Sequence, residues 1–234
     1  MHGILIVNKP RGITSFKVIS ILRKLTGIKR IGHAGTLDPM AEGVLPVFIG
    51  REATKHIAEY LNGDKAYIAT MTLGITTDTL DAEGRIISNF QCQNPNEFPK
   101  LKSQIEIIFK KYIGEIEQKP PMYSAVHHEG RRLYELAREG KTVERKSRKI
   151  TIHYIKLLEI IEDEYPQVKF EVKCSKGTYI RQLVSDIGED LGCGAHLSAL
   201  IRTYSHPFSL EQALSLEKIE EASKSNNLEK LFLL

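Results

Sequence analysis

The chain has 234 residues, 41% apolar and 26% charged, the make-up of a globular protein with a substantial core in one domain or one domain with an appendage. No apolar run reaches the roughly 18 residues of a membrane span, and Gly3-Ile4-Leu5-Ile6-Val7 is too short for a signal-peptide core. Cys92, Cys174 and Cys193 form neither a zinc cluster nor a disulfide framework, which fits reduced thiols in a cytoplasmic protein. The net charge of +4 is unevenly spread: residues 1–37 hold seven Lys/Arg and no Asp or Glu, and residues 127–149 hold eight Lys/Arg against four Glu. Two basic stretches on an otherwise net acidic chain suggest a face that binds a polyanion, without saying which.

In chain order, Gly3–Val7 reads as a first strand. Thr14 and Ser15 are N-cap candidates for a helix with Val18, Ile21, Leu22 and Leu25 at helical spacing, stopped by Gly27. Residues 32–50, rich in Gly and Pro, read as loop with short extended pieces. Tyr67–Leu73 reads as a strand. Asn96 and Pro99 open a helix bearing Leu101, Ile105, Ile108 and Phe109, and Pro120-Pro121 breaks the chain before a basic helix over 131–139 that ends at Gly140. Val168, Phe170, Val172 and Cys174 alternate with Lys169, Glu171 and Lys173, a half-buried strand. A helix follows with Ile180, Leu183, Val184, Ile187 and Leu191 inward, closed by Gly192. Helices and strands do not alternate regularly, which predicts α+β architecture with a mixed, largely antiparallel sheet.

Asp38 is the first acidic residue in the chain, within Gly32-His33-Ala34-Gly35-Thr36-Leu37-Asp38-Pro39. Pro39 biases Asp38 towards extended backbone, and the glycines permit close approach of a ligand. An ionised carboxylate there can act as nucleophile or base but not as acid; a surface turn is the alternative. No phosphate-binding loop, dinucleotide fingerprint, metalloprotease helix or nucleophile elbow is present. His127-His128 has no further ligands at metal spacing and reads as an exposed turn. Tyr67, Tyr123, Tyr134 and Tyr179 are candidates for base stacking. From the residues alone the chain is a partly basic, nucleic-acid-binding α+β protein.

The segment Gly32–Val47, with Ala41-Glu42-Gly43-Val44-Leu45-Pro46 after Asp38-Pro39-Met40, closely resembles the active-site motif of the TruB family of tRNA pseudouridine synthases. Further segments resemble that family in the same order. They are Asn8–Ser15, Lys65-Ala66-Tyr67, Pro120–Ala125, Gly130–Tyr134, Cys174–Arg181, and Gly194–Leu197 leading on to Leu200. The resemblance spans residues 3–234 and implies a pseudouridine synthase fold whose central sheet is flanked by helices and loops. It implies that Asp38 is catalytic, that Arg181 pairs with it, that Tyr67 stacks on the target uracil, and that Tyr179 and Leu200 line the pocket. The resemblance further implies that His33 helps to occupy the gap left when the nucleotide leaves its stack. Lys9, Arg131 and Arg132 are the expected RNA contacts, with residues 115–149 as a basic RNA-gripping insertion.

The implied reaction isomerises uridine to pseudouridine in the tRNA T loop, at uridine 55, with no metal and no organic cofactor. The expected partner is the T-arm stem-loop, met by a monomer that touches no membrane. The chain ends at Leu231-Phe232-Leu233-Leu234, so the PUA-type RNA-binding domain carried by many members is expected to be absent. The alternatives are the catalytic subunit of a guide-RNA-dependent pseudouridine synthase and a non-catalytic RNA-binding protein. A glycosidase-like hydrolase would need a second carboxylate.

Overall fold

The computed structural model describes residues 2–89 and 98–233; the helix opening expected at Asn96 and the thiol of Cys92 lie outside the described residues. The chain runs β1 (Gly3–Lys9), α1 (Ser15–Thr26), β2 (Ile31–His33), β3 (Glu42–Ile49), α2 (Gly50–Thr54), α3 (Ile57–Leu61) and β4 (Lys65–Leu73). It continues through β5 (Ile75–Thr77), β6 (Ile86–Asn89), α4 (Phe98–Tyr112), β7 (Gly114–Gln118), β8 (His127–His128), β9 (Arg131–Arg132) and α5 (Leu133–Arg138). The last elements are β10 (Arg148–Ile161), β11 (Gln167–Cys174), α6 (Ile180–Asp190), β12 (Ala195–Ser205), β13 (Phe208–Ser209) and α7 (Leu216–Lys224). The strand pairing is mixed and mostly antiparallel, and the architecture is α+β. Among the described residues no helix is long and apolar enough to cross a membrane. Two units of dense internal contact emerge: Met1–Ile68 with Leu200–Leu234, and Ala69–Ala199. β4 and β12 each carry the chain from one unit to the other.

In the first unit, β1 pairs antiparallel with β3, and β3 pairs antiparallel with β2 and parallel with β12. Helix α1 starts where the sequence places it. The Thr14 hydroxyl accepts from Lys17 N at 3.0 Å, and Gly27, at φ 69°, closes the helix in a left-handed conformation. Val18, Ile19 and Leu22 are buried against Leu5 and Val7 of β1 and Leu45, Val47 and Ile49 of β3. Each such side chain stabilises the unit by roughly 1.5–3 kcal/mol.

Residues 42–49 correct the expectation of loop: β3 is a strand buried along almost all its length. Gly43 and Pro46 argued against it. Pro46 is tolerated because its carbonyl, and hence its nitrogen, faces the β2 side, where Ala34 N donates to that carbonyl at 3.0 Å. Its nitrogen thus points away from the β1 ladder, and the cost is one bond at the end of the β2 pairing: Ala34 lies opposite Pro46, which accepts from Ala34 N but has no N–H to return to Ala34 O.

In the second unit, β10 pairs antiparallel with β11 and with β7. On β11, Val168, Phe170, Val172 and Cys174 are buried in strict alternation, as expected. Helix α4 buries Ile105, Ile108 and Phe109, whose ring centroid lies 5.4 Å from that of Phe170. Helix α6 buries Ile180, Leu183, Val184 and Ile187. Two expectations are corrected here. Arg131 and Arg132 are not helical but pair as β9 with His127-His128, which form a short strand rather than a turn; the helix begins at Leu133.

Candidate active site

In the first unit the loop carrying Asp38 is held by hydrogen bonds on both sides of that residue. Before it, the buried Ser15 hydroxyl donates to Leu37 O at 3.1 Å and accepts from Leu37 N at 2.9 Å. After it, Pro39 O accepts from Gly12 N at 2.9 Å and from the Lys9 ammonium at 3.3 Å. Asp38 O itself accepts from Ala41 N at 3.1 Å. The carboxylate thus sits, half-buried, on a backbone whose course is fixed by the residues 8–15 segment. Such pre-organisation is what a reacting group requires, since small displacements are costly in rate.

Lys9 is a correction to the expected RNA contact. Its side chain is fully buried, and its ammonium donates to Pro10 O and Ile13 O at 2.9 and 2.7 Å as well as to Pro39 O. Three carbonyls match its three donors, so Lys9 serves the loop rather than a phosphate.

Three more candidates belong to this unit: His33 at the end of β2, Tyr67 on β4 and Leu200 on β12, the last two buried. Sequence reading passed over a further buried residue of this unit, Arg202. Arg202, 1% exposed, donates from Nε to Val44 O at 2.7 Å and from Nη2 to Gly35 O at 3.0 Å. The Tyr67 phenol lies close enough to the guanidinium to interact with it. Burial pulls the Arg202 pKa down, and the Tyr67 phenol opposes that. Burial first, then the charge of Arg202, lowers His33 below the ordinary 6.5, and its buried Nδ1 has no hydrogen-bond partner among the described residues. His33 is accordingly a neutral imidazole. The one signal for Arg202 in the sequence is a lone guanidinium in the apolar run Leu200-Ile201.

The second unit holds Tyr179 and Arg181 at the start of α6. Tyr179 is clamped by Gln118, which accepts from Tyr179 N at 2.8 Å and donates to Tyr179 O at 3.0 Å; Arg148 lies 6.0 Å from the ring centroid. Arg181 is buried, donating to Thr79 O at 2.9 Å and Tyr123 O at 2.8 Å, with Asp81 Oδ2 3.5 Å from its Nη1. Asp81, 4% exposed, is in turn fixed by Thr79 Oγ1 at 2.6 Å and Glu83 N at 3.1 Å. Asp81 and Gln118 were not visible as site residues in the sequence. Arg131 and Arg132 are exposed. Arg131 pairs with Glu139, whose carboxyl is pulled down to about 2 by Arg131 and Lys141. Arg132 and Arg138 flank the Tyr134 ring at 5.9 and 5.4 Å. A separate 440 Å³ cleft, lined by Lys102, Glu106 and residues 157–160 and 162, contains none of these groups.

The model of the TruB family pseudouridylate synthase N-terminal domain matches residues 23–180, and that of the tRNA pseudouridylate synthase B C-terminal domain matches residues 181–233. The chain belongs to the TruB family. Among relatives, tRNA pseudouridine synthase B of Francisella tularensis subsp. novicida (strain U112) is 49% identical over 241 aligned residues, covering 100% of this chain and 76% of the relative. The enzyme of the same name from Protochlamydia amoebophila (strain UWE25) is 48% identical, covering 92% of this chain and 78% of its own. A chain in the crystal structure of a Cbf5–Nop10–Gar1 complex is 32% identical with a TM-score of 0.73, covering 98% of this chain and 58% of that one. A chain from an H/ACA RNP bound to a substrate RNA containing 2′-deoxyuridine is 29% identical with a TM-score of 0.70. This TruB family chain therefore spans less than two thirds of those structural neighbours.

Proposed function

We propose that this chain isomerises uridine to pseudouridine in the T loop of tRNA, at uridine 55, with Asp38 as the catalytic carboxylate. The observation that carries the proposal is the fixed backbone on either side of Asp38, in a chain 49% identical throughout to a tRNA pseudouridine synthase B. The reaction breaks the C1′–N1 bond, turns the uracil and rejoins it through C5. The target must leave its stack, which costs a few kcal/mol. Stacking on the ring of Tyr67 offsets roughly 1–3 kcal/mol of that. Neutral His33 can take the vacated place without placing a charge among the bases. Asp38, as an anion, attacks or takes a proton but does not donate one. Tyr179 and Leu200 are assigned to the uracil pocket and Arg181 to orienting the carboxylate. Exposed cations of residues 11–30 and 131–149 supply the sequence-independent grip on phosphates.

The test is incubation of the purified chain with an unmodified tRNA transcript, without guide RNA or partner proteins, followed by mapping of pseudouridine. Conversion at one T-loop uridine is expected. A second reading, the catalytic subunit of a guide-RNA-dependent enzyme, is favoured by the likeness to a chain of the Cbf5–Nop10–Gar1 complex at a TM-score of 0.73. The higher identity to tRNA pseudouridine synthase B speaks for the first. Activity that appears only when a guide RNA is added would decide for the second.

A further inference from the structure

Arg202 heads the fully buried side chains by volume among the described residues. No carboxylate among them pairs with it; its partners are the carbonyls of Val44 and Gly35 and the phenol of Tyr67. A buried guanidinium without a counter-charge is expensive, and an apolar side chain of similar volume would fill the space without that cost. Its backbone is equally constrained. Gly43 lies opposite Arg202 in the parallel β3–β12 register, and a Cβ at Gly43 would overlap the Arg202 carbonyl oxygen. Gly35 has φ +90°, and a Cβ there would stand 3.4 Å from Arg202 Nη1. Gly43 thus admits the β12 backbone beside β3, and Gly35 supplies the positive φ of the loop whose carbonyl Arg202 holds.

We propose that Arg202 is a positioning residue for the reaction. Its planar fork ties the carbonyl of Gly35, three residues before Asp38, and the phenol of Tyr67 to one rigid strand. The loop that bears the carboxylate and the stacking ring are thereby both anchored to one strand within one unit. This inference rests on the tRNA-modifying reading of the site. Lysine is not equivalent, because its donors all sit on one nitrogen, whereas Arg202 reaches Val44 O from Nε and Gly35 O from Nη2, two separate atoms of a rigid plane.

The experiment compares wild type, R202K, R202Q, Y67F and the Y67F/R202K double variant on an unmodified tRNA transcript. Single-turnover rate and tRNA affinity are measured for each, with thermal melting as a check on folding. R202K should slow the chemical step by roughly 10²-fold, the order expected of a 1 Å misplacement, while tRNA affinity is kept. In Y67F the ring remains but the hydroxyl that interacts with Arg202 is gone. The double variant should therefore lose less than the product of the two single losses. A folded R202K at the wild-type rate, losses that multiply independently, or equal losses of rate and affinity would each overturn the inference. If neither Arg202 variant folds, Y67F decides alone: slowed chemistry with intact affinity supports the inference, and a wild-type rate overturns it. A wild type that makes no pseudouridine would overturn the functional reading and this inference with it. An active wild type beside an equally active R202K would overturn the inference only.

Discussion

Ser15→Ala tests whether the Asp38 loop is held as described. The serine is 2% exposed, and its hydroxyl makes both a donated and an accepted bond to the backbone of the buried Leu37. Alanine removes both and leaves the N–H and C=O of Leu37 without them. At about 1–3 kcal/mol for each buried group so deprived, and allowing for partial relaxation, the loss is about 2–4 kcal/mol. For a chain of this size that lowers the melting temperature by roughly 5–15 °C. The loop then moves, and the rate falls by on the order of 10²-fold for a 1 Å shift of Asp38. The control is Thr14→Ala, one residue away. It removes the helix cap to exposed Lys17 N, at about 1 kcal/mol, and touches no part of the loop. Calorimetry and single-turnover assays on both variants make the comparison. Ser15→Ala with wild-type stability and rate, or Thr14→Ala as slow as Ser15→Ala, would refute the reasoning.

Asp81→Asn removes the carboxylate 3.5 Å from Arg181 and should cost about 3 kcal/mol of stability for a broken buried pair; it should slow turnover without weakening tRNA binding, as single-turnover and filter-binding measurements would reveal. His33 has its pKa lowered in the folded state, so above 6.5 it is neutral folded or unfolded and contributes nothing. Below 6.5 the unfolded chain takes up a proton that folded His33 refuses, so stability falls; His33→Gln should flatten the melting-temperature profile from that pH downward, and an unchanged slope would count against the buried neutral imidazole. An isolated T-arm hairpin should be modified nearly as well as whole tRNA, with affinity falling steeply in salt as counterion release demands; kcat/KM for the two substrates at two salt concentrations checks this, and a hairpin rate lower by orders of magnitude would show that distant contacts matter.

Helix α1 and strand β11 were legible because each carries a local signal: Thr14, helical spacing and Gly27 in one, strict alternation in the other. Strand β3 was not, because a strand buried on both faces has no alternation and Pro46 reads as a breaker. Strand β10 broke the period of two at irregularities between Ile152 and Tyr154 and between Leu157 and Glu159. At the site, Asp38 stood out through its motif. The supporting residues did not: Arg202 meets Val44 and Gly35 across 158 and 167 positions, and Gln118 meets Tyr179 across 61. Lys9 looked like a phosphate contact because charge in a basic stretch says nothing of burial; the fold turns its ammonium inward to three carbonyls.

The most direct test of the central claim is Asp38→Asn. The amide keeps the shape of the side chain and removes its anionic oxygen, so the backbone bonds at Leu37, Pro39 and Ala41 need not change. Wild type and variant, shown equally folded by circular dichroism, are incubated with the same unmodified tRNA transcript, and pseudouridine is mapped by carbodiimide labelling and primer extension. The expected result is full conversion of one T-loop uridine by the wild type and none by Asp38→Asn, with tRNA affinity retained. Pseudouridine formed by a well-folded Asp38→Asn protein would contradict the assignment of Asp38 as the catalytic residue.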